Sequence, residues 1–176
     1  MIEYLQRMAR YNRWMNRKLF EKTALLPAEA IRKNRHAFFA SLLGTLNHIM
    51  VAELICLRSV ATHKDCKDVL ASLSELPETK GLREILFKDF NDFTDVRERL
   101  DGLIVDFSQT LSDELLAAPI AYRNMAGEQH EHELGKLLQH FFNHQTHHRG
   151  QATTLLFQAG IDPGPTDLLV MLMEEG

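Results

Sequence analysis

Apolar residues return at steps of three and four along most of this chain, and that spacing fits helices and excludes strands as its main element. Tyr4, Met8, Tyr11, Met15 and Leu19 follow one another at steps of four, three, four and four, so they share one helical face until Pro27 intervenes. This predicts a first helix over residues 2–25. From His36 the run HAFFASLLGTLNHIMVAELICLRSV carries Phe39, Leu42, Leu43, Leu46, Ile49, Met50 and Leu57 and is rich in Leu, Ala and Met. It reads as a second helix, buried on more than one side. Charge, Ser, Pro77 and Gly81 break the pattern between Thr62 and Gly81, which marks a long connection with room for a short irregular turn. Phe93, Val96, Leu100, Leu103, Phe107 and Leu111 then define a third helix, with Asn91 or Asp92 available as N-cap and Pro119 beyond its end.

The segment from Pro119 to His132, with Tyr122, Asn124 and Gly127, has no helical period and fits a loop or a small hairpin. A fourth helix is expected over residues 133–158. Leu134, Leu137, Leu138, Phe141, Phe142, Leu155 and Leu156 support it, Gly150 weakens it a little, and Gly160 is placed to cap it. The tail DPGPTDLLVMLMEEG turns at Pro163 and Pro165 and ends in a short apolar run that can pack back. Four long helices in 176 residues predict an all-α chain, a four-helix bundle in a single domain over residues 1–176, with a long link between helices two and three as a crossover.

Composition narrows the function classes. With 45% hydrophobic and 25% charged residues the chain has the make-up of a globular protein. A formal net charge of -4, with Lys and Arg spread among acids, argues against nucleic acid as a partner. The charge-free stretch Ala37 to Ala52 is short for a bilayer and is interrupted by Ser41, Gly44, Thr45, Asn47 and His48, so no membrane partner is expected. The beginning, MIEYLQRMARYNRW, has no apolar signal-like core, and Cys56 and Cys66 form neither a C-x-x-C nor a disulfide framework. A cytoplasmic location is the expectation.

The stretch HFFNHQTHHRGQ places four of the nine histidines within nine positions. Residues four apart on a helix lie about 40° apart around the axis and roughly 6 Å along it, so two such imidazoles can converge on one ion. His140, His144 and His148 form a ladder at this spacing. Its three rungs span about 12 Å of rise, whereas a Zn–N bond is only about 2.0–2.1 Å long. One ion therefore takes two rungs and draws its third ligand from elsewhere. His48, midway along helix two among Leu46, Ile49, Met50 and Val51, is the candidate; a hydrogen bond to a backbone carbonyl or an Asn is the plainer use of a lone buried imidazole. His147 lies about 60° from His144 around the axis and suits a supporting or a surface role. His130 and His132 read as solvated loop residues, and His36 and His63 as incidental. Spacing supports a metal site without selecting its rungs.

Other metal chemistries fail on the residues. His132-Glu133 is followed by Leu134, Gly135 and Lys136, so there is no H-E-x-x-H; E-x-x-H does not occur, and cysteines are too few for a structural zinc site.

The mid-helix histidine in GTLNHIMVAE, the late HFFNHQTHHRGQ and the ending LLFQAGIDPGPTDLL resemble the DinB/YfiT-like family of metal-dependent helical bundle proteins, which is unrelated to the DNA polymerase sharing the name. YNRWMNRKLF and KDFNDFTDVRERLD extend the resemblance over nearly the whole chain. The resemblance implies a metal triad of one histidine in the second helix and an H-x-x-x-H pair followed by R-G-Q, which falls on His48, His144 and His148. It also implies a divalent ion, nickel or zinc, an up-down-down-up bundle and a homodimer. Relatives of this kind include transferases and isomerases that use low-molecular-weight thiols such as mycothiol or bacillithiol, and some hydrolases, so the implied substrate is a small molecule.

Three neutral imidazoles would leave an ion its full charge and an open position, suited to activating water or a thiol. Cys56 lies about two turns and about 80° from His48 and is not the expected nucleophile. Glu53 and Gln151 are polar neighbours with ordinary surface or packing use as the alternative. Arg149 could meet an anionic substrate or pair with an acid across the bundle. The competing readings are a non-enzymatic stress or binding protein with a structural or vestigial metal, and a buried polar network with no metal.

Overall fold

The computed structural model of the chain describes residues 1–123 and 127–176. Seven α-helices and one two-stranded sheet lie among the described residues. The first helix, α1, runs over Ile2–Thr23. Its core face is Leu5, Met8, Met15, Leu19 and Phe20, while Tyr4 is half exposed, so the stripe expected from the spacing is rotated slightly toward Leu5. Fully burying one such Leu contributes about 2 kcal/mol. The helix stops short of the expected residue 25, and a second short helix, α2, follows over Ala28–Arg32 with Pro27 as its N-cap.

The helix that carries His48, α3, spans Leu42–Val60 and not the longer stretch from His36. Ser41 explains the late start, because its extended backbone and its side chain, which accepts from the Gly44 N–H at 3.0 Å, cap the helix there. Ahead of the cap His36 and Ala40 both adopt positive φ, at 57° and 64°. The apolar run HAFFASLL had no signal for that turn other than Ser41 itself. A Cβ on Gly44 would overlap the Phe39 carbonyl oxygen, so the close approach of residues 36–41 to α3 needs a glycine here. By length and composition α3 could cross a membrane, yet 72% of its most apolar window is buried within the fold, which makes it the core helix.

The long link holds a 3-10 helix at Ala71–Glu75 and continues to Asp89. Asp89, not Asn91 or Asp92, caps the next helix, α4, over Phe90–Gln109, its side chain accepting from the Asn91 N–H at 2.9 Å. A short α5, Asp113–Ala117, was not expected from the periodicity; Ser112 caps it through the Leu115 N–H. Strands β1, Pro119–Arg123, and β2, Gln129–Glu133, pair antiparallel with Tyr122 opposite His130, so the hairpin alternative holds. Asn124, counted in that segment, lies outside the described residues.

The histidine-rich helix, α6, spans Leu134–Gln158. Gly160 at φ +86° closes it as expected, with the Ile161 N–H donating to the Leu156 carbonyl and the Gly160 N–H to that of Phe157. The last helix, α7 over Leu168–Glu175, packs back on α1: Met171 is buried, Trp14 Nε1 donates to Glu174 at 2.8 Å and the Tyr11 hydroxyl to the Thr166 carbonyl at 2.6 Å. The long helices meet as α1 against α4 and α6, and α3 against α6. This places one face of α3 opposite one face of α6.

Gly44→Ala tests the cap. Helix propensity alone favours alanine by about 1 kcal/mol. Overlap with Phe39 should more than reverse that and destabilise the protein by about 2 kcal/mol in urea unfolding. An unchanged or higher midpoint would refute the close approach.

Candidate metal centre

The three histidines picked out by the resemblance come together between α3 and α6. His48 Nε2 lies 3.2 Å from His148 Nε2, which lies 3.1 Å from His144 Nε2, and the ligand atoms of all three fall within 4.8 Å of one another. Two nitrogens about 2.05 Å from one tetrahedral ion are about 3.3 Å apart. The spacing therefore suits a small divalent cation.

The outward nitrogens decide the tautomers. His48 Nδ1 is 2.8 Å from the Leu82 carbonyl, which can only accept, so that nitrogen carries the proton. His148 Nδ1 is 2.9 Å from Gln151 Oε1, another acceptor. Both Nε2 atoms then face the centre as bare lone pairs, and two acceptors 3.2 Å apart repel unless a cation lies between them. A proton is a poor candidate, because all three imidazoles are held below the ordinary histidine range. Desolvation is the largest cause in each. For His48 it outweighs the Leu82 carbonyl, which favours the charged ring. His144 is pushed down to about 3, by burial first and then by the neighbouring imidazoles, and His148 falls despite its bond to Gln151. The donor set fits a metal better than it fits protons.

Phe39 covers this cluster. Its ring stacks on His48 with centroids 3.8 Å apart and meets His148 edge-on at 5.5 Å. The apolar period places Phe39 in the core of helix two; the structure places it ahead of α3, on the positive-φ turn that delivers it to the site. Asn47, beside His48, pins the link to the same place: its Nδ2 donates to the Phe87 carbonyl at 3.1 Å and its Oδ1 accepts from the Phe87 N–H at 2.9 Å. These two bonds hold the segment that supplies Leu82.

The remaining histidines separate clearly. His140 is exposed, with its ring 5.8 Å from that of His144. His147 is also exposed, but its Nε2 lies 3.2 Å from Gln151 Nε2, so it steadies the amide that orients His148. His130 and His132 are strand residues that flank Tyr122 at 5.7 and 5.8 Å, not loop residues. His36 and His63 lie outside the cluster.

Behind the histidines runs a buried polar set that sequence reasoning undervalued. Glu53 is fully buried in α3 and ion-pairs with Arg97 of α4, which also binds Asp101 at 2.8 and 3.1 Å. Asn12 and Asn16 of α1 donate to these carboxylates at 2.8–3.3 Å. Arg149 of α6 is 2% exposed and donates to Asn12 Oδ1, with its guanidinium 5.4 Å from the Tyr11 ring. Among the described residues it forms no ion pair with an acid; Asn12 relays it to Glu53 and Asp101. Glu53 is thus not a surface group. The available signal was polar residues inside apolar stripes: Asn12 between Met8 and Met15, Arg97 and Asp101 between Phe93 and Ile104. Burial is also the leading cause that pushes Asp101 up to about 6, against the pull of Arg97, and Arg149 down to about 10. Burial first and Glu53 second push the Cys56 thiol up to about 12, which suits a small packing residue.

A family model described as the DinB family matches residues 1–175. The chain is 29% identical over 167 residues to Protein DinB of Bacillus subtilis (strain 168), covering 95% of this chain and 92% of that protein. No solved structure gives a significant match.

Removing Arg97 would leave Glu53 and Asp101 buried without their partner. Arg97→Met should cost about 3–5 kcal/mol, whereas Arg99→Met, which breaks an exposed bridge to Glu75, should cost under about 1 kcal/mol. Similar losses in chemical denaturation would contradict the buried set's importance.

Proposed function

The chain belongs to the DinB family, and on that premise we propose that it is a divalent-metal-dependent protein whose ion is held by His48, His144 and His148. The observation that carries the reading is the meeting of three imidazole Nε2 atoms, two of them fixed as bare lone pairs, in a place where burial disfavours protonation. We take nickel or zinc as the ion, since three imidazoles suit either. Bound there, it would supply Lewis acidity toward water or a thiol. The protein's own groups do the rest: Leu82 and Gln151 hold protons at the outward nitrogens, and Phe39 shields the His48 ring from water.

The finer architecture belongs to the same proposal. Contacts of α1 with α4 and α6, and of α3 with α6, support an up-down-down-up four-helix bundle forming one domain over residues 1–176. We read the activity as that of a thiol-dependent transferase or a hydrolase acting on a small molecule. A cavity that borders His144 favours this over a structural or vestigial ion in a non-enzymatic stress or binding protein. A homodimer and a cytoplasmic location complete the reading; two free cysteines are consistent with the latter.

Elemental analysis of the protein purified from its own host should find close to one divalent ion per chain. Nickel or zinc should raise the melting temperature of the wild type and not of His144→Ala. Each ligand must be neutral to bind, and each is held below the free imidazole range, so release on acidification should set in below about pH 6.5. A metal-free protein whose melting is indifferent to both ions would remove the site.

The reaction class has its own test. Metal-loaded protein incubated with low-molecular-weight thiols and an electrophile should turn over, and His144→Ala should abolish it. Turnover that survives that substitution would separate the activity from the metal.

A further inference from the structure

Arg83 differs from the other arginines of this protein. Each of those donates a hydrogen bond to a carboxylate, carbonyl or amide oxygen, whereas Arg83 reaches no acceptor among the described residues. Glu84, next in the chain, accepts instead from the Lys80 N–H at 2.6 Å. The Arg83 guanidinium lies over the Phe38 ring, its central carbon 4.8 Å from the ring centroid. The stack steadies the flat fork and leaves the N–H donors at its edge open. Arg83 is exposed and Phe38 is 68% exposed, so a solute can reach both.

This pair stands at the rim of the histidine cluster. Phe38 meets Phe39 edge-on at 4.9 Å, and Phe39 stacks on His48. From the other side, Arg83 directly follows Leu82, whose carbonyl accepts from His48 Nδ1. Burial is the main cause that holds His48 below the ordinary histidine range; the charge of Arg83 is a lesser one acting the same way, which sets the guanidinium near the imidazole. Leu82 also lines a cavity of about 270 Å³ that borders His144, which offers room for the remainder of a small molecule.

A single unpaired cation matches a single negative charge, and the parallel N–H groups of a stacked guanidinium suit a planar carboxylate best. We propose that Arg83, held on Phe38, binds the carboxylate of a small-molecule substrate whose reactive end lies toward the metal centre. That orientation rests on the metal-dependent reading; the carboxylate preference of Arg83 does not.

Benzoate and benzamide are a matched planar pair that differ in charge. Binding is followed at millimolar probe by the NMR signals of Arg83 Nε–Hε and the Phe38 ring, in chelated and in nickel-loaded protein. In chelated protein benzoate should bind about fivefold more tightly than benzamide, as a solvent-accessible bidentate pair allows, and the preference should shrink with added NaCl. Arg83→Gln should erase the preference and Arg83→Lys keep part of it, both melting close to wild type. In nickel-loaded protein the benzoate ring protons should relax faster with the wild type than with Arg83→Gln. Equal affinity for the two probes in the wild type, a preference that survives in Arg83→Gln, its loss only alongside a large fall in melting temperature, or equal relaxation in the two nickel-loaded proteins would each overturn the proposal. An Arg83 signal that ignores benzoate but moves on dilution of the protein would assign the pair to a contact between chains and do the same. Discrimination in chelated protein that takes up no nickel would fault the metal reading alone, and nickel uptake without discrimination would fault Arg83 alone.

Discussion

Everything near the histidines depends on a set of buried charges that must close on itself. Glu53, Arg97, Asp101 and Arg149 bring two positive and two negative side chains out of water, and Asn12 and Asn16 bridge between them. Such a set is weak evidence of stability in itself, because desolvation offsets much of the Coulombic gain. Its strength is selectivity. A slip of one residue along any of α1, α3, α4 or α6 moves a charged head by about 1.5 Å and turns it by about 100°, which would leave a buried ion unpaired. Glu53 sits five residues from His48, and Arg149 directly follows His148. The register that closes the charges is the register that brings the imidazole nitrogens to 3.2 Å.

The link is the second half of the site. Read as sequence, residues 62–81 are a polar interruption; in the fold, the continuation to residue 89 presents the Leu82 carbonyl that sets the His48 tautomer and the Phe87 backbone that Asn47 clasps. Phe39 arrives from the other side, on a turn that a side chain at Gly44 would block. An imidazole on a helix can swing about its own bonds, and here two pieces of non-helical chain remove that freedom for His48.

Long helices were legible because their evidence is repeated: each apolar position in α1, α4 and α6 restates the same period. Single-residue events were not. The start of α3 hangs on Ser41 inside an unbroken apolar run, and α5 is only five residues long, too short to show a period. Helical rise ruled out His140, His144 and His148 acting together, but the choice of His144 and His148 came from resemblance; spacing is identical for both pairs, and only tertiary placement puts His140 outside. Glu53 was misjudged because a lone acid in an apolar helix looks the same on paper whether it faces water or an arginine from another helix. Arg83 went unnoticed for the same reason, since having no acceptor among the described residues is a property of surroundings and not of order.

The way α1 is enclosed has a consequence for how the protein is made. Its partners are α4, α6 and α7, and the Tyr11 hydroxyl finds its acceptor at Thr166, 155 residues later. At about 5–20 residues per second, that partner leaves the ribosome roughly eight to thirty seconds after Tyr11 does. Until α4 emerges, Asn12 and Asn16 lack Asp101, which follows them by 89 and 85 residues, and the apolar stripe beside them lacks the helix it packs on. The molecule is thus assembled around its earliest helix after synthesis has passed it, and the histidines can meet only in a chain already complete through α6.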